Sequence, residues 1–147
     1  MNKVPEDIIN IIKSDSEDSL ASHLGIEFTH VEIDKVIAKM PVDKRTVQRF
    51  GILHGGASVA LAENVASVAA WLNVDREKNG VVGLEINANH LRKTKSGFVH
   101  ATATPIKIGK KIHVWDIKIH NDDAELVCIS RCTMAVIDVY HKKSASS

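Results

Sequence analysis

The chain has no excess of charge. Its 19 Lys and Arg against 18 Asp and Glu leave a net +1, so no whole-chain field draws it to nucleic acid or to an anionic surface. It has no apolar run near the ~20 residues of a bilayer span. The longest candidate, 57–72, is interrupted by Glu63 and Asn64. Its opening, Met-Asn-Lys-Val-Pro-Glu-Asp, lacks the charged-then-apolar pattern of an export signal. A cytoplasmic protein with no membrane and no nucleic-acid partner is therefore expected. Cysteine is scarce as well. Cys128 and Cys132 fall in one expected strand, where four residues span roughly 13 Å. A disulfide needs Cα atoms within about 7 Å, and two thiols are too few for zinc. Reduced, buried thiols are expected. The histidines at 23, 30, 100, 113, 120 and 141 show no metal-ligand spacing, and no metal is expected.

What is present reads as a single domain of 147 residues, 44% of them apolar, enough for one core. Pro5-Glu6-Asp7 opens a short helix whose apolar face is Ile8, Ile9, Ile11 and Ile12. Alternating patterns over 26–33 and 36–42 predict a hairpin turning at Asp34-Lys35. A polar loop, 43–55, leads into a helix over 56–72 made of small apolar residues. Being apolar all round, that helix is expected to be buried on all sides. Four strands then follow, over 81–91, 97–108, 111–120 and 125–139. Their short polar gaps predict a four-strand antiparallel meander. The organisation is an N-terminal helical segment over 1–24, a domain over 25–139 and a frayed tail over 140–147. The fold class is α+β, one long antiparallel sheet curled around one central helix. The uncovered sheet face and edges predict a homo-oligomer.

The chemistry concentrates between residues 48 and 67. A helix opening at Gly55-Gly56 presents unpaired N–H groups at the positive end of its dipole, suited to polarising a carbonyl. Glu63 is the one charged side chain on this helix. Burial would raise its pKa toward the range of a catalytic base or nucleophile. Ser67 shares its face at i+4. Gly56, Ala60, Glu63, Ser67 and Ala70 form a stripe without bulk, with room for a ligand. His54 and Gln48 come from the preceding loop. Together these are parts for acyl transfer to water. The plainer reading is that Glu63 forms a salt bridge and His54 only caps the helix. Gly56-Ala57-Ser58-Val59-Ala60 imitates a nucleophile elbow, but a loop rather than a strand leads into it, against that chemistry. His90-Leu91-Arg92-Lys93-Thr94-Lys95 and Lys107-Ile108-Gly109-Lys110-Lys111 are basic clusters in what read as adjoining hairpins. They are either edge protection or a phosphate site.

Over residues 20–139 the chain resembles the hotdog-fold acyl-CoA thioesterases, in the branch acting on aromatic acyl-CoA thioesters. The resemblance is carried by Met40-Pro41-Val42, by Gln48 through Ser58 with Phe-Gly-Ile-Leu-His-Gly-Gly-Ala-Ser, and by Ala62-Glu63 and Ser67. It continues in Gly83-Leu-Glu-Ile-Asn-Ala-Asn-His90, Val114-Trp115 and Ser130-Arg131. It implies a hotdog fold, a homodimer with sites shared between chains, and a homotetramer built from two dimers. Glu63 would be nucleophile or general base. The Gly55 N–H would polarise the carbonyl, His54 and Gln48 would orient the thioester, and Ser67 would help place water. Gly83, His90, Leu91, Arg92, Lys93, Lys107, Ile108, Gly109, Lys110, Lys111 and Ile112 would line the CoA tunnel. No cofactor is implied, CoA being part of the substrate. The lysine-rich turn at 107–112 departs from the pattern. A proofreading thioesterase acting on aryl-carrier-protein thioesters, a non-catalytic acyl-CoA-binding module and a hotdog dehydratase are the other readings.

Overall fold

A computed structural model describes residues 3–14 and 17–139; the tail expected over 140–147 lies outside them. Helix α1 (Glu6–Lys13) starts after Pro5, carries Glu6 and Asp7 in its first turn and Lys13 in its last, the charge order its dipole favours. Helix α2 (Leu20–Leu24) is capped by Ser19, which accepts from the Ser22 N–H at 3.1 Å. It stops at Gly25, whose φ of +72° supplies the left-handed C-cap. Strands β1 (Glu27–Glu32) and β2 (Lys35–Pro41) form the expected hairpin, turning one residue early at Ile33-Asp34. The long helix α3 (Gly55–Leu72) follows, then β3 (Asn79–His90), β4 (Phe98–Ile108), β5 (Ile112–Asn121) and β6 (Leu126–Asp138). No described helix is long and apolar enough to cross a membrane.

All six strands join one antiparallel sheet in the order β1-β2-β4-β5-β6-β3. This corrects the expected four-strand meander. Strands β4, β5 and β6 are consecutive neighbours, but β3 pairs with β6 at the far edge. The link over 91–97 is a crossover and no hairpin turn. It must pass three strand spacings, about 14 Å, which seven extended residues cover at roughly 23 Å. The crossover is tied down on the way. Leu91 N–H donates to Val127 O and Leu53 N–H to Thr94 O, each at 2.8 Å, and Thr94 is buried.

The sheet curls round α3, which packs on β2 through β6. Leu61, Ala62, Val65, Ala66 and Ala69 lose all exposure against Met40, Val99, Ala101, Ala103, Ile117 and Cys132. Alanine at three of those helix positions brings the strands close to the helix axis. Truncating a fully buried Leu61 or Trp115 would cost about 2–5 kcal/mol. The helix is not buried on all sides as expected. Gly56 and Glu63 are exposed, and Ala60, Asn64, Ser67, Val68 and Trp71 are half-buried. Strands cannot close over this sector because β1 and β3 end the sheet on either side of it. Ala70, counted in the open stripe, is buried instead. Asn73 fixes the helix C-terminus, its Nδ2 donating to Ala69 O at 2.8 Å and to Ile33 O at 2.7 Å.

Two polar rings sit inside. His113 and Trp115 face inward from β5 at 1% and 0% exposure. His113 Nδ1 and Trp115 Nε1 have no hydrogen-bond partner among the described residues. Burial pushes the His113 pKa below the ordinary 6.5, and a backbone hydrogen bond to Gly109 offsets part of that. The unfolded chain thus takes up this proton near pH 6.5, before the folded one does. Stability from this residue is complete above that pH and is lost as pH falls below it. The melting temperature should fall between pH 6.5 and 5, and His113→Leu should flatten that slope. Asp43, held down to about 2 chiefly by its hydrogen bonds with Arg45, acts only at lower pH. An unchanged slope in His113→Leu would assign it to another group.

Candidate active site

The loop before α3 is organised by Thr46, which is buried. Its Oγ1 donates to Pro41 O at 2.7 Å and accepts from Asp43 N–H at 3.1 Å. Its carbonyl accepts from His54 N–H at 2.8 Å. A single bridge, Val47 to Leu53, closes the loop. Gly51, at φ +79°, makes its tip, leaving Phe50 80% exposed. Gln48 is held on one side only. Its Oε1 accepts from the Phe50 N–H, so the amide NH2 remains a donor.

His54 is the N-cap of α3. Its Nδ1 accepts from the Gly56 N–H at 2.8 Å, which puts the ring proton on Nε2. Its carbonyl takes the N–H groups of Ala57 and Ser58, at 3.0 and 3.2 Å. The Gly55 N–H is left without a partner among the described residues, as a carbonyl-polarising donor must be. A Cβ on Gly55 would come within 3.0 Å of His90 Nε2. The glycine is therefore what lets the His90 ring lie against the helix start. A cleft of about 400 Å³ opens here, lined among others by Gln48, Gly55, His90, Leu91, Arg92 and Lys93. The family resemblance implied a place for His90 along the CoA tunnel, without a sign that it abuts Gly55. Only the crossover of β3 to β6 brings it there, and nothing local in the sequence signals that.

Glu63 does not join this cleft. Eight residues along α3 put it about 12 Å from Gly55. It is exposed, which corrects the expectation of burial by its own chain. Its carboxylate lies over Gly83 of β3, where any Cβ would collide with Glu63 Oε1. The β3 register shifts between Gly83 and Glu85, and such bulges re-aim a strand beside a site. No salt bridge of Glu63 occurs among the described residues, against the plainer reading. Ser67, half-buried, is on the next turn. The thiols are free and buried, as expected. Cys132 is pushed up to about 11, first by burial and then by the charges of Glu63 and Glu85. Burial also raises Cys128. Neither is a nucleophile.

The two basic clusters do not adjoin. His90 pairs with Cys128 at one end of β6, whereas Ile112 and Val82 both pair with Ala135 near the other. Eight residues of β3 separate the two levels, roughly 26 Å. Lys107, Ile108, Lys110, Lys111 and Ile112 are exposed on a turn closed by Gly109 N–H to Ile112 O at 2.9 Å. That turn is level with Gly83 and Glu63. The segment 90–93 is level with Gly55. Arg92 Nη1 lies 3.1 Å from Glu125 Oε2.

The thioesterase superfamily model matches residues 50–128. The 1,4-dihydroxy-2-naphthoyl-CoA hydrolase of Escherichia coli (strain K12) is 46% identical over 121 residues, 82% of this chain and 88% of that protein. The solved structure of a Haemophilus influenzae thioesterase superposes with a TM-score of 0.85 at 46% identity, over 97% of this chain and 96% of that one. A Staphylococcus aureus relative, solved as a glutamate-to-alanine variant, gives 0.81 at 42% identity, over 82% of this chain and all of its own. A glutamine-to-alanine variant of it is also solved. The chain belongs to the thioesterase superfamily, has the hotdog fold and is a thioester hydrolase.

The double use of His54 can be separated. His54→Ala removes the cap and should lower unfolding free energy by about 0.5–2 kcal/mol in a denaturant titration. His54→Asn restores a capping oxygen and should recover that stability. If the Nε2–H also meets substrate, the asparagine variant should stay at least tenfold down in thioester hydrolysis. Full activity in His54→Asn would leave capping as the only role.

Proposed function

We propose that two copies of this chain pair along β3 and hydrolyse an aryl-CoA thioester, 1,4-dihydroxy-2-naphthoyl-CoA, at two sites that each copy half supplies. The observation that carries this reading is the separation of the site's halves. A donor at Gly55 and a carboxylate at Glu63, about 12 Å apart on one helix, cannot act on one carbonyl. Strand β3 ends the sheet, and its outer edge offers unpaired backbone groups with Val82 and Leu84 exposed beside it. An antiparallel partner on that edge would set the Gly55 end of one α3 against the Glu63 of the other. The same symmetry would bring residues 90–93 of one chain toward 107–112 of its partner. That would join the two basic clusters on one CoA.

In such a site the thioester oxygen would accept from Gly55 N–H, with the Gln48 amide and His54 Nε2–H orienting the group. Glu63 of the other chain would either add to the carbonyl carbon or take a proton from the attacking water, which Ser67 would help place. The C–S bond breaks and CoA leaves as the thiolate, which takes up the proton given by water; where Glu63 adds, water then hydrolyses the mixed anhydride left on it to the free acid. Gly83 would keep the space beside the carboxylate open. The substrate is argued from the E. coli relative's name and identity. The pair of replaced residues in the Staphylococcus aureus relative, a glutamine and a glutamate, stand as far apart in sequence as Gln48 and Glu63 do here, which supports that pair. Ile112, Ile129 and Ile137, exposed on the outer sheet face, would serve a tetramer of two such dimers.

Glu63→Gln keeps size and hydrogen bonding but removes basicity. Its kcat should fall at least ~10²–10⁴-fold with KM little changed, read by thiol release from aryl-CoA. Near-normal turnover would sink the assignment. Faster turnover of an aryl-carrier-protein thioester than of the CoA ester would overturn the substrate choice.

Sharing is tested by mixing. Chains with Glu63→Gln, inactive alone, should recover activity when exchanged with chains altered at His90, Arg92 and Lys93. One site of the mixed dimer then has both intact halves. A fully active monomer in light scattering, or no rescue despite proven exchange, would rule the shared site out.

A further inference from the structure

Of the cationic side chains over 90–95, Arg92 alone has an acidic partner among the described residues. Its Nη1 lies 3.1 Å from Glu125 Oε2, with both side chains about half exposed. Exposed ion pairs hold little by themselves, but this carboxylate is fixed from its own side. Glu125 Oε1 accepts from Asn121 Nδ2 at 3.1 Å. The Glu125 N–H donates to Asn121 Oδ1 at 2.9 Å, and the Glu125 carbonyl accepts from Asn121 N–H at 3.0 Å. Between them Ala124 takes a φ of +59°, a left-handed conformation uncommon outside glycine. The turn before β6 is thus tightly specified, and it aims Glu125 at the crossover. Two residues on, Val127 O receives the Leu91 N–H at 2.8 Å. Val127, Leu91 and Arg92 all line the cleft at Gly55.

We infer that Glu125 is a positioning residue for CoA, holding the Arg92 guanidinium at the mouth of this cleft in readiness for a phosphate of the coenzyme. This rests on the reading that residues 90–93 meet CoA. One nitrogen on the carboxylate leaves other guanidinium N–H donors free, and a phosphate takes two of them side by side. A loose arginine has many rotamers, and ordering it only on binding lowers affinity by about two- to tenfold. Glu125 orders it before CoA arrives. The carboxylate also repels the phosphate. Some 6–7 Å away through water, that repulsion is worth about threefold, and screening at physiological salt brings it below about twofold. Positioning is the larger of the two effects.

The test separates the side chain from the turn that carries it. Glu125→Ala removes the carboxylate and leaves the two bonds that Asn121 makes with the backbone of residue 125. KM for benzoyl-CoA should rise about threefold or more with kcat unchanged, and free CoA should bind correspondingly more weakly in calorimetry. Benzoyl-pantetheine, which carries no phosphate, should be turned over as before. A purely structural role would depress both esters alike. In an Arg92→Ala background, Glu125→Ala should change neither KM nor CoA affinity further, because it acts only through Arg92. Unchanged or tighter CoA binding in Glu125→Ala, an equal loss with both esters, or an equal loss in the Arg92→Ala background would overturn the inference. If wild type binds CoA with this dependence on Glu125 and Arg92 yet cleaves neither ester, the inference stands and the hydrolytic reading falls.

Discussion

Everything in this molecule depends on how closely a sheet can approach α3. Ala62, Ala66 and Ala69 have no side chain beyond Cβ, so β2 through β6 curl onto the helix and take it out of water. A sheet that tightly curled must end somewhere, and it ends at β1 and β3. The uncovered sector between those edges is a consequence of the packing. It is where Glu63 can exist at all, since a carboxylate on any other face would be buried without a partner, at a cost of several kcal/mol.

The same packing explains the division of labour along the helix. Its first turn is an electrostatic device. The cap on Gly56 and the carbonyl of His54 use up the neighbouring donors, and the Gly55 N–H remains at the dipole's positive end. Its third turn is a steric device, holding Glu63 over Gly83, a position in β3 that has no side chain. Thr46 and the Leu53–Thr94 hydrogen bond lock the first, and the β3 bulge shapes the second. The two are rigid relative to each other because one helix carries both.

Local pattern made most of the elements legible. Every strand and helix fell within a few residues of its expected place, because apolar periodicity and turn residues are properties of neighbouring positions. The candidate residues of the 48–67 segment stand out in the sequence for the same reason. Glycine, histidine, small residues and a lone carboxylate stand together in the chain. Three things were not legible. The crossover over 91–97 looks like a hairpin turn, since Thr94-Lys95-Ser96 is turn-like whichever strand comes next. The level of His90 with Gly55, and of Lys107–Ile112 with Glu63, follows from that crossover and could not precede it. The exposure of Glu63 depends on where the sheet ends. Composition shows a helix as apolar all round without showing which of its faces a sheet will reach.

The placement of β3 also has a history in time. It lies at an edge, yet the partner that holds it is the last strand of the sheet. Ser130 Oγ donates to Asn87 O across 43 positions of chain. Until β6 is made, β3 has both edges open and a helix already waiting beside it. Such long-range pairing is slow to close, and an apolar strand with two free edges is prone to wrong partners. Val82 and Leu84 are the residues at risk during that interval. Synthesis of the final strand thus completes the sheet, closes one of the two free edges of β3 and seats the carboxylate's neighbour Gly83 in one event.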